Sequence, residues 1–333
     1  MYRGVNRNGS QYLEDLATGY WFSEVLFTAV ELEIFTLIEQ GGRSVKEISK
    51  LLDIESQGAE RFLQALCTMG LLINDGDCYY NTKVSGEYLV VGKENYQGDS
   101  VLWRKQLASN WRDLAKSLKN GGRINYGSFD EDPVHRADRI KKYIGAMDGV
   151  AKTKVREMVQ FFEGISLRGK ILDVGAGSGA VSAGFLESYP DMTAALVDLP
   201  EVLNCTREML NEHLVERVTF CPANILETWP VDTADFELII LSNIIHAYSE
   251  KEISCILKKA SDCLKPGGFI LIHDFFLEHY PSKAALFDLN MFVNTYNGKV
   301  FSHQWVLKQL FNLNLNTTEL IPLKTDTALI IAA

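Results

Sequence analysis

The segment from Lys170 to Pro200 constrains the fold of this chain more than any other part of its sequence. Ile171–Val174 is a short apolar run, and it leads directly into three glycines at alternate positions, Gly175, Gly177 and Gly179. A glycine cluster at the end of an apolar run marks a tight turn, and the residues beyond it place apolar side chains at helical spacing. The segment therefore predicts a strand, a tight turn and a helix.

A second apolar run, Ala194–Val197, ends at Asp198, which follows Gly179 by 19 residues. An acid at the tip of the second strand of a βαβ unit lies where a ribose diol can bind, because its two oxygens accept hydrogen bonds from both hydroxyls. The unit therefore predicts a site for an adenosine-containing cofactor. On these residues alone, a nicotinamide cofactor remains an alternative.

The rest of the chain beyond Lys170 alternates strand-like apolar runs with helical segments. This alternation favours an α/β fold with a mostly parallel sheet that is covered on both faces. We expect seven strands, at Ile171–Val174, Ala194–Val197, Val218–Phe220, Phe236–Leu241, Phe269–Ile272, Leu320–Pro322 and Ala328–Ala332. Ligands of such sheets bind outside the carboxyl ends of the strands, so the site residues should follow strand ends.

Between the fourth and fifth of these strands, Ser249 and Glu252 form a capping box that begins a helix reaching Leu264. The residues Lys265 to Gly268 should form the turn into the next strand. A longer helix from about Ala137 should precede the first strand, after a polar loop over residues 121–132.

Composition limits the partners and the compartment. The 333 residues carry a formal net charge of −10, which argues against nucleic acid or an anionic membrane as a partner. Six cysteines are scattered without CxxC spacing, so we expect free thiols in a reducing compartment and no metal site. With no leader and no apolar run of the ~20 residues that span a bilayer, a cytoplasmic location is expected.

The N-terminal third predicts a separate, mainly helical unit. Ser44 and Glu47 form a capping box, a second helix follows, and an Asp75-Gly76 turn closes a hairpin. This order is typical of a winged helix. DNA binding is disfavoured, since residues 1–100 contain 8 Lys and Arg against 15 Asp and Glu.

The segment before this unit, Gln11–Gln40, is rich in apolar and aromatic residues. Its predicted helices are apolar on more than one side, so they must be covered by other parts of the chain or by a second subunit. A core helix and a dimer interface are both compatible with the pattern.

Four motifs in order then indicate a family. The chain reads DVGAGSG, VDLP, LSNIIHAYSEKE and LKPGGFILIHDF, and in this order it resembles the two-domain class I S-adenosylmethionine-dependent O-methyltransferases of the caffeate and polyketide type. The resemblance implies a Rossmann-like sheet, the cofactor S-adenosyl-L-methionine with S-adenosyl-L-homocysteine as product, a small-molecule acceptor and a homodimer. It also implies a dimerisation domain over 1–105, a helical connector lining the substrate cleft over 106–150 and a cofactor-binding domain over 151–333.

The resemblance carries the cofactor contacts onto this sequence residue by residue. They fall at Met147, Asp173, Gly175, Gly177, Gly179, Asp198, Leu199, Asn224, Ile225, Ser242 and Asn243. The family's Gly-Asp pair that reads the adenine amino group is Ala223-Asn224 here, so the expected contact uses an uncharged amide oxygen.

The same resemblance implies that His246 is the general base and that Asp274 orients it. Histidine suits this role because the ordinary pKa of an imidazole, near 6.5, is close to working pH. The resemblance also implies a second orienting glutamate, at the position of Val300, and a valine side chain cannot orient a histidine. This departure leaves open an alternative, a protein that binds the cofactor without transferring a methyl group.

The acceptor is expected to be a flat aromatic or polyketide-like molecule, because bulky apolar side chains are available to line its cleft. These are Trp103, Trp111, Tyr143, Phe275, Phe276, Met291, Phe292 and Tyr296.

Overall fold

A computed structural model describes residues 9–124 and 132–333 of the chain. The chain divides into two compact units, with the boundary between Gln106 and Leu107. Of the polar loop expected over residues 121–132, residues 125–131 lie outside the described part.

The first unit is mainly helical and contains one small hairpin. Its elements are α1 Ser10–Ala17, α2 Tyr20–Glu31, α3 Ile34–Leu37, α4 Val45–Leu52, α5 Ser56–Thr68, β1 Leu72–Asn74, β2 Tyr79–Asn81, α6 Lys83–Tyr88 and α7 Gly98–Arg112, the last of which continues past the boundary. The predicted capping box is present at the start of α4, where Ser44 Oγ accepts from the Glu47 N–H. The predicted order of helix, helix and hairpin is therefore confirmed.

The apolar N-terminal segment is buried in one part and exposed in another. Ile34 and Phe35 are fully buried in the core of the first unit. In contrast, α1 has no buried residue, and Leu13 and Trp21 are more than half exposed. One part of the segment thus supplies the core, and the other leaves an uncovered apolar surface.

The second unit contains seven strands and their covering helices. Its helices are α8 Leu114–Asn120, α9 Pro133–Gln160, α10 Ala180–Ser188, α11 Pro200–Met209, α12 Glu212–Val215, α13 Glu250–Cys263, α14 Pro281–Asn294 and α15 His303–Asn312, with a short 3₁₀ helix at Ile245–Ala247. Its strands are β3 Gly169–Val174, β4 Met192–Asp198, β5 Val218–Pro222, β6 Phe236–Ser242, β7 Leu264–Asp274, β8 Ile321–Pro322 and β9 Ala328–Ala332.

The seven strands form one sheet in the order β5-β4-β3-β6-β7-β9-β8. The five strands from β5 to β7 are parallel, whereas β9 pairs antiparallel with both β7 and β8. All seven predicted strands and the mostly parallel sheet are confirmed. The chain leaves β3 for β4 on one side and returns to β6 on the other, which makes the carboxyl ends of β3 and β6 the switch point where ligands bind in such sheets.

Apolar side chains cover both faces of the sheet. Along β3, Leu172 and Val174 pack into one cluster and Ile171 into the cluster on the other face. This is the alternation that a strand imposes, because successive side chains point to opposite faces. It also directs Asp173, which lies between Leu172 and Val174, into the interior.

The turn expected before the fifth parallel strand differs from the prediction. The helix does begin with the predicted capping box at Ser249 and Glu252 and ends at Cys263. However, β7 already starts at Leu264, and the pairing with β6 shifts register between Phe236 and Leu238. The Pro-Gly-Gly residues therefore form an irregularity inside the strand, where Gly267 has a φ of 78°.

Across residues 9–124 and 132–333, none of the helices combines the length and the apolar character that crossing a bilayer requires.

Candidate functional site

The candidate site lies at the carboxyl ends of the parallel strands. The glycine turn follows β3, Asp198 is the last residue of β4, and Asp274 is the last residue of β7. His246 follows β6 in the 3₁₀ helix. Because parallel strands end at one edge of a sheet, residues that are far apart in the sequence come together here.

The glycine turn has a backbone that few other residues could adopt. Gly175, Gly177 and Gly179 have φ values of 73°, 56° and 77°, in the left-handed region. A Cβ on Gly175 would lie 2.3 Å from Cδ1 of Ile244, so this glycine also lets the β3 and β6 loops touch. A Cβ on Gly177 would meet no atom within 4 Å, so the space beside that residue is open to a ligand.

Asp198 accepts two backbone hydrogen bonds, one of them from the glycine turn. Its Oδ2 accepts from the N–H of Gly177 at 2.9 Å, and its Oδ1 accepts from the N–H of Leu199 at 2.7 Å. Burial raises the pKa of Asp198, and these two donors act in the opposite direction. Since a carboxylate has about four lone-pair sites, two remain for the hydroxyls of a ribose diol.

Asp173 lies beneath the turn rather than at its surface. It is 2% exposed, and its Oδ2 accepts a hydrogen bond from Ser182 Oγ on α10 at 2.7 Å. Burial raises the pKa of Asp173 to about 7, although the bond from Ser182 partly offsets this. The structure therefore shows Asp173 as a hydrogen-bonding partner of α10.

The raised pKa of Asp173 predicts how stability changes with pH. The folded state binds a proton that the unfolded state, with a pKa near 3.9, releases. This stabilisation is complete below about pH 4 and is lost as the pH rises through about 7. We expect Asp173→Asn to raise the free energy of unfolding at pH 8 by about 2 kcal/mol and to change it little at pH 4.

Urea unfolding of the cofactor-free protein at pH 4, 6 and 8 measures this effect. Asp191→Asn, an exposed acid, is the control and should leave the pH dependence unchanged. An equal effect of Asp173→Asn at all three pH values would contradict the prediction.

The two residues expected near the adenine have local partners. Asn224 Oδ1 accepts from the N–H of Leu226 at 3.0 Å, which makes an Asx turn and leaves one lone pair of that oxygen. Ile225 is buried in the core, and its carbonyl accepts from Trp229 Nε1 and Lys259 Nζ. Ile225 therefore anchors the loop on which Asn224 lies.

His246 and Asp274 are in direct contact. His246 Nδ1 lies 2.5 Å from Asp274 Oδ1, and the backbone N–H of His246 donates to Oδ2 at 3.3 Å. Asp274 is fully buried, and its Oδ1 also accepts from the N–H of Phe275. Because an ionised carboxylate only accepts hydrogen bonds, Nδ1 carries the hydrogen and Nε2 is the free basic nitrogen.

A second histidine, His273, ties the neighbouring strand ends together. Its ring is fully buried, with Ser242 Oγ 2.8 Å from Nδ1 and Thr327 Oγ1 2.8 Å from Nε2. Its carbonyl accepts from the N–H of Asn243, a residue with a φ of 57°. Burial and the charge of Lys154 hold the pKa of His273 well below its usual range, so His273 is neutral. Ser242 and Asn243 are thus fixed to β7.

Two stacked aromatic rings lie beside His246. Phe275 and Phe287 stack with their centroids 3.8 Å apart, and the imidazole meets both rings edge-on at 5.9 and 5.2 Å. Val300, which is 3% exposed, belongs to the same apolar cluster as Phe275 and Phe287. The position at which the resemblance implied a second glutamate is therefore part of an apolar wall.

The other aromatic residues expected to line the acceptor site are distributed differently. Phe276 is fully buried in the main core, because it points to the opposite side from Phe275. Tyr296 is 70% exposed. Met147 is half-buried on α9.

Sequence patterns did not single out two residues beside His246. Phe287 lies one helical turn before Met291 on α14, and that spacing was the available signal. Gly298 is required by close packing, since a Cβ there would lie 2.4 Å from the carbonyl oxygen of His246.

The donor set fits an adenosine cofactor. The acid at the tip of β4, the open space beside Gly177 and the partly exposed apolar side chain of Leu199 lie next to one another in the fold. Within the described ranges, no group of three or more His, Cys, Asp or Glu side chains is arranged to hold a metal ion.

Comparisons with known proteins match both units. The model of the O-methyltransferase domain matches residues 111–310, and the model of the O-methyltransferase dimerisation domain matches residues 14–91.

Characterised relatives match over most of their length. The 3-hydroxy-5-methyl-1-naphthoate 3-O-methyltransferase of Streptomyces sahachiroi is 27% identical over 290 residues, covering 85% of this chain and 83% of that protein. The acetylserotonin O-methyltransferase of Gallus gallus is 26% identical over 303 residues, covering 86% of each chain.

A solved structure supports the fold. The crystal structure of human N-acetylserotonin methyltransferase in complex with SAM superposes with a TM-score of 0.86, at 23% identity and with 99% of each chain covered.

Proposed function

The chain belongs to the O-methyltransferase family and is an S-adenosylmethionine-dependent O-methyltransferase, and from this premise we propose that it methylates a hydroxyl of a small aromatic or polyketide-like molecule with His246 as general base. The observation that carries the assignment of the base is the contact between His246 Nδ1 and the buried carboxylate of Asp274.

The cofactor, when bound, supplies an electrophilic methyl group on a sulfonium. In the proposal, Asp198 holds the ribose hydroxyls, and Gly175, Gly177 and Gly179 allow the backbone to approach the amino-acid end. Leu199 lies against the adenine, and Asn224 offers the remaining lone pair of its amide oxygen to the adenine amino group. Met147, Ser242 and Asn243 complete the cofactor site.

His246 removes the proton of the acceptor hydroxyl with Nε2. Asp274 holds the imidazole in the tautomer that leaves Nε2 unprotonated, and its charge stabilises the imidazolium that forms. In methyl transfer from a sulfonium, the acceptor oxygen attacks the methyl carbon. The enzyme mainly holds that oxygen in place and removes its proton.

The acceptor class is inferred from the walls around His246. The Phe275 and Phe287 stack, together with Val300, makes this side of the base apolar. An aromatic phenol buries more apolar surface against such a wall than an aliphatic alcohol does. The aromatic substrates in the names of the two relatives agree with this class.

We also propose that the protein is a homodimer through its first unit. The match of residues 14–91 to a dimerisation domain supports this, and so do the exposed apolar side chains of Leu13 and Trp21. A monomer in sedimentation at micromolar concentration would contradict it.

Calorimetric titration with S-adenosylhomocysteine tests the cofactor site. We expect Asp198→Ala to weaken binding by a factor of about ten or more, or about 1.4 kcal/mol, because the ribose loses its acceptors. Asp191→Ala, near the start of the same strand, is the matched control and should bind as the wild type does.

Turnover separates the proposal from its alternative. Formation of S-adenosylhomocysteine is measured with phenols, hydroxynaphthoates and hydroxyindoles, and with aliphatic alcohols as controls. Turnover of at least one aromatic acceptor supports the proposal. Binding of the cofactor with no turnover across the panel would instead favour a protein that retains the cofactor without methyl transfer.

A further inference from the structure

A lysine is buried next to the proposed base. Lys154 lies on α9, and its side chain is only 6% exposed. Its ammonium lies 3.9 Å from Asp326 Oδ1 and 5.5 Å from the centroid of the Phe275 ring. Removing a lysine from water is costly, so groups around a buried lysine must compensate its charge.

The ammonium forms one end of a stack. Phe287 covers one face of Phe275 at 3.8 Å, and no other group fits between two rings at that distance. The ammonium therefore lies over the opposite face, where the ring quadrupole attracts a cation. The result is a sequence of three groups in contact, Lys154, Phe275 and Phe287.

This stack sets the position of the imidazole. His246 is perpendicular to both rings, at interplanar angles of 78° and 79°. Asp274 fixes Nδ1, but a hydrogen bond to one nitrogen leaves the ring able to rotate about that contact. The edge-on contacts with Phe275 and Phe287 limit this rotation.

We propose that Lys154 is a positioning residue that holds the Phe275 and Phe287 stack against His246. This inference rests on the proposed function of His246 as the base. Lys154 acts through the rings and touches neither the acceptor nor the cofactor in this scheme.

Two substitutions separate the charge of Lys154 from its packing. Lys154→Met keeps an unbranched side chain of similar length but removes the cation. Lys154→Arg keeps the charge and can also stack on an aromatic face. We expect Lys154→Met to lower kcat about tenfold, with the KM of the acceptor and the Kd of S-adenosylhomocysteine within about threefold of wild type. Lys154→Arg should restore most of the lost kcat.

A double-mutant cycle tests the route through the ring. Phe275→Leu removes the aromatic face that Lys154 contacts. If Lys154 acts through that face, Lys154→Met should add little to the loss in kcat caused by Phe275→Leu. Independent, additive losses would overturn the proposal, as would an unchanged kcat in Lys154→Met or a loss of cofactor binding in parallel with kcat.

A measurement without turnover keeps this inference distinguishable from the proposed function. The six histidines give few ring signals in NMR spectra of histidine-labelled protein, and His246→Gln identifies the signal of His246. In the wild type we expect one sharp signal, and in Lys154→Met a broadened or doubled one. If no acceptor is turned over but Lys154→Met changes this signal, the proposed function is wrong and the positioning role of Lys154 is supported. An unchanged signal in Lys154→Met would overturn the positioning role of Lys154.

Discussion

Replacing His246 with glutamine is expected to lower kcat for methyl transfer by about 10²- to 10⁴-fold, which is the usual effect of removing a general base. Glutamine is polar and of similar size, but its amide cannot accept the proton of the acceptor hydroxyl. Binding of S-adenosylhomocysteine should stay within about twofold of wild type, because the proposed cofactor contacts are made by other residues.

Steady-state kinetics at saturating cofactor, together with calorimetry, measures both parts of this prediction. His213→Gln, an exposed histidine on α12, is the matched control and should keep full activity. Retention of kcat in His246→Gln would mean that the base is another residue, whatever the geometry around Asp274.

Introducing a glutamate at position 300, where the resemblance implies one, is expected to destabilise the protein rather than to improve its activity. Val300 is 3% exposed in the cluster formed with Phe275, Ala284 and Phe287. Its backbone N–H donates to Asp288 Oδ1 at 2.7 Å, so a second carboxylate would also lie near an existing one. We expect Val300→Glu to lower the free energy of unfolding by about 3 kcal/mol at pH 8 and to lower kcat.

Urea unfolding and kinetics check this result, and Val300→Gln serves to separate charge from size. Glutamine should cost less stability at pH 8 than glutamate, and the difference should shrink at pH 5 as the glutamate becomes protonated. A Val300→Glu variant with wild-type stability and a higher kcat would falsify the idea that the base requires an apolar wall at Val300.

The sequence predicts the second unit well because its signals are local. Buried parallel strands are continuous apolar runs, so the sequence predicts β3 and β6 directly. The capping box at Ser249 marks the first turn of α13. The Pro-Gly-Gly run was expected as a turn, but it lies within β7, because pairing with β6 extends the strand past it. Pairing between distant segments overrides a local signal there.

Part of the candidate site could also be read from the sequence. Asp198, Asp274 and His246 follow strand ends, and a parallel sheet brings such residues to one edge. The environment of His246 could not be read in this way. Phe287 comes from α14, and Lys154 comes from the C-terminal half of α9, where a lysine normally faces solvent. Only the packed structure places these two residues beside Phe275.

The position of β9 has a consequence for biosynthesis. This strand is inserted between β7 and β8, although it follows the other six strands of the sheet in the sequence, and it brings the loop that carries Thr327 against the ring of His273. A nascent chain that extends only to α15 has β7 without this neighbour, and His273 without one of its two hydrogen-bonding partners. The glycine turn after β3 and its partner Asp198 on β4 are complete much earlier. During translation the chain therefore acquires the parts proposed to hold the cofactor first, and the strand that carries Asp274 acquires its second neighbour only after residues 328–332 have emerged.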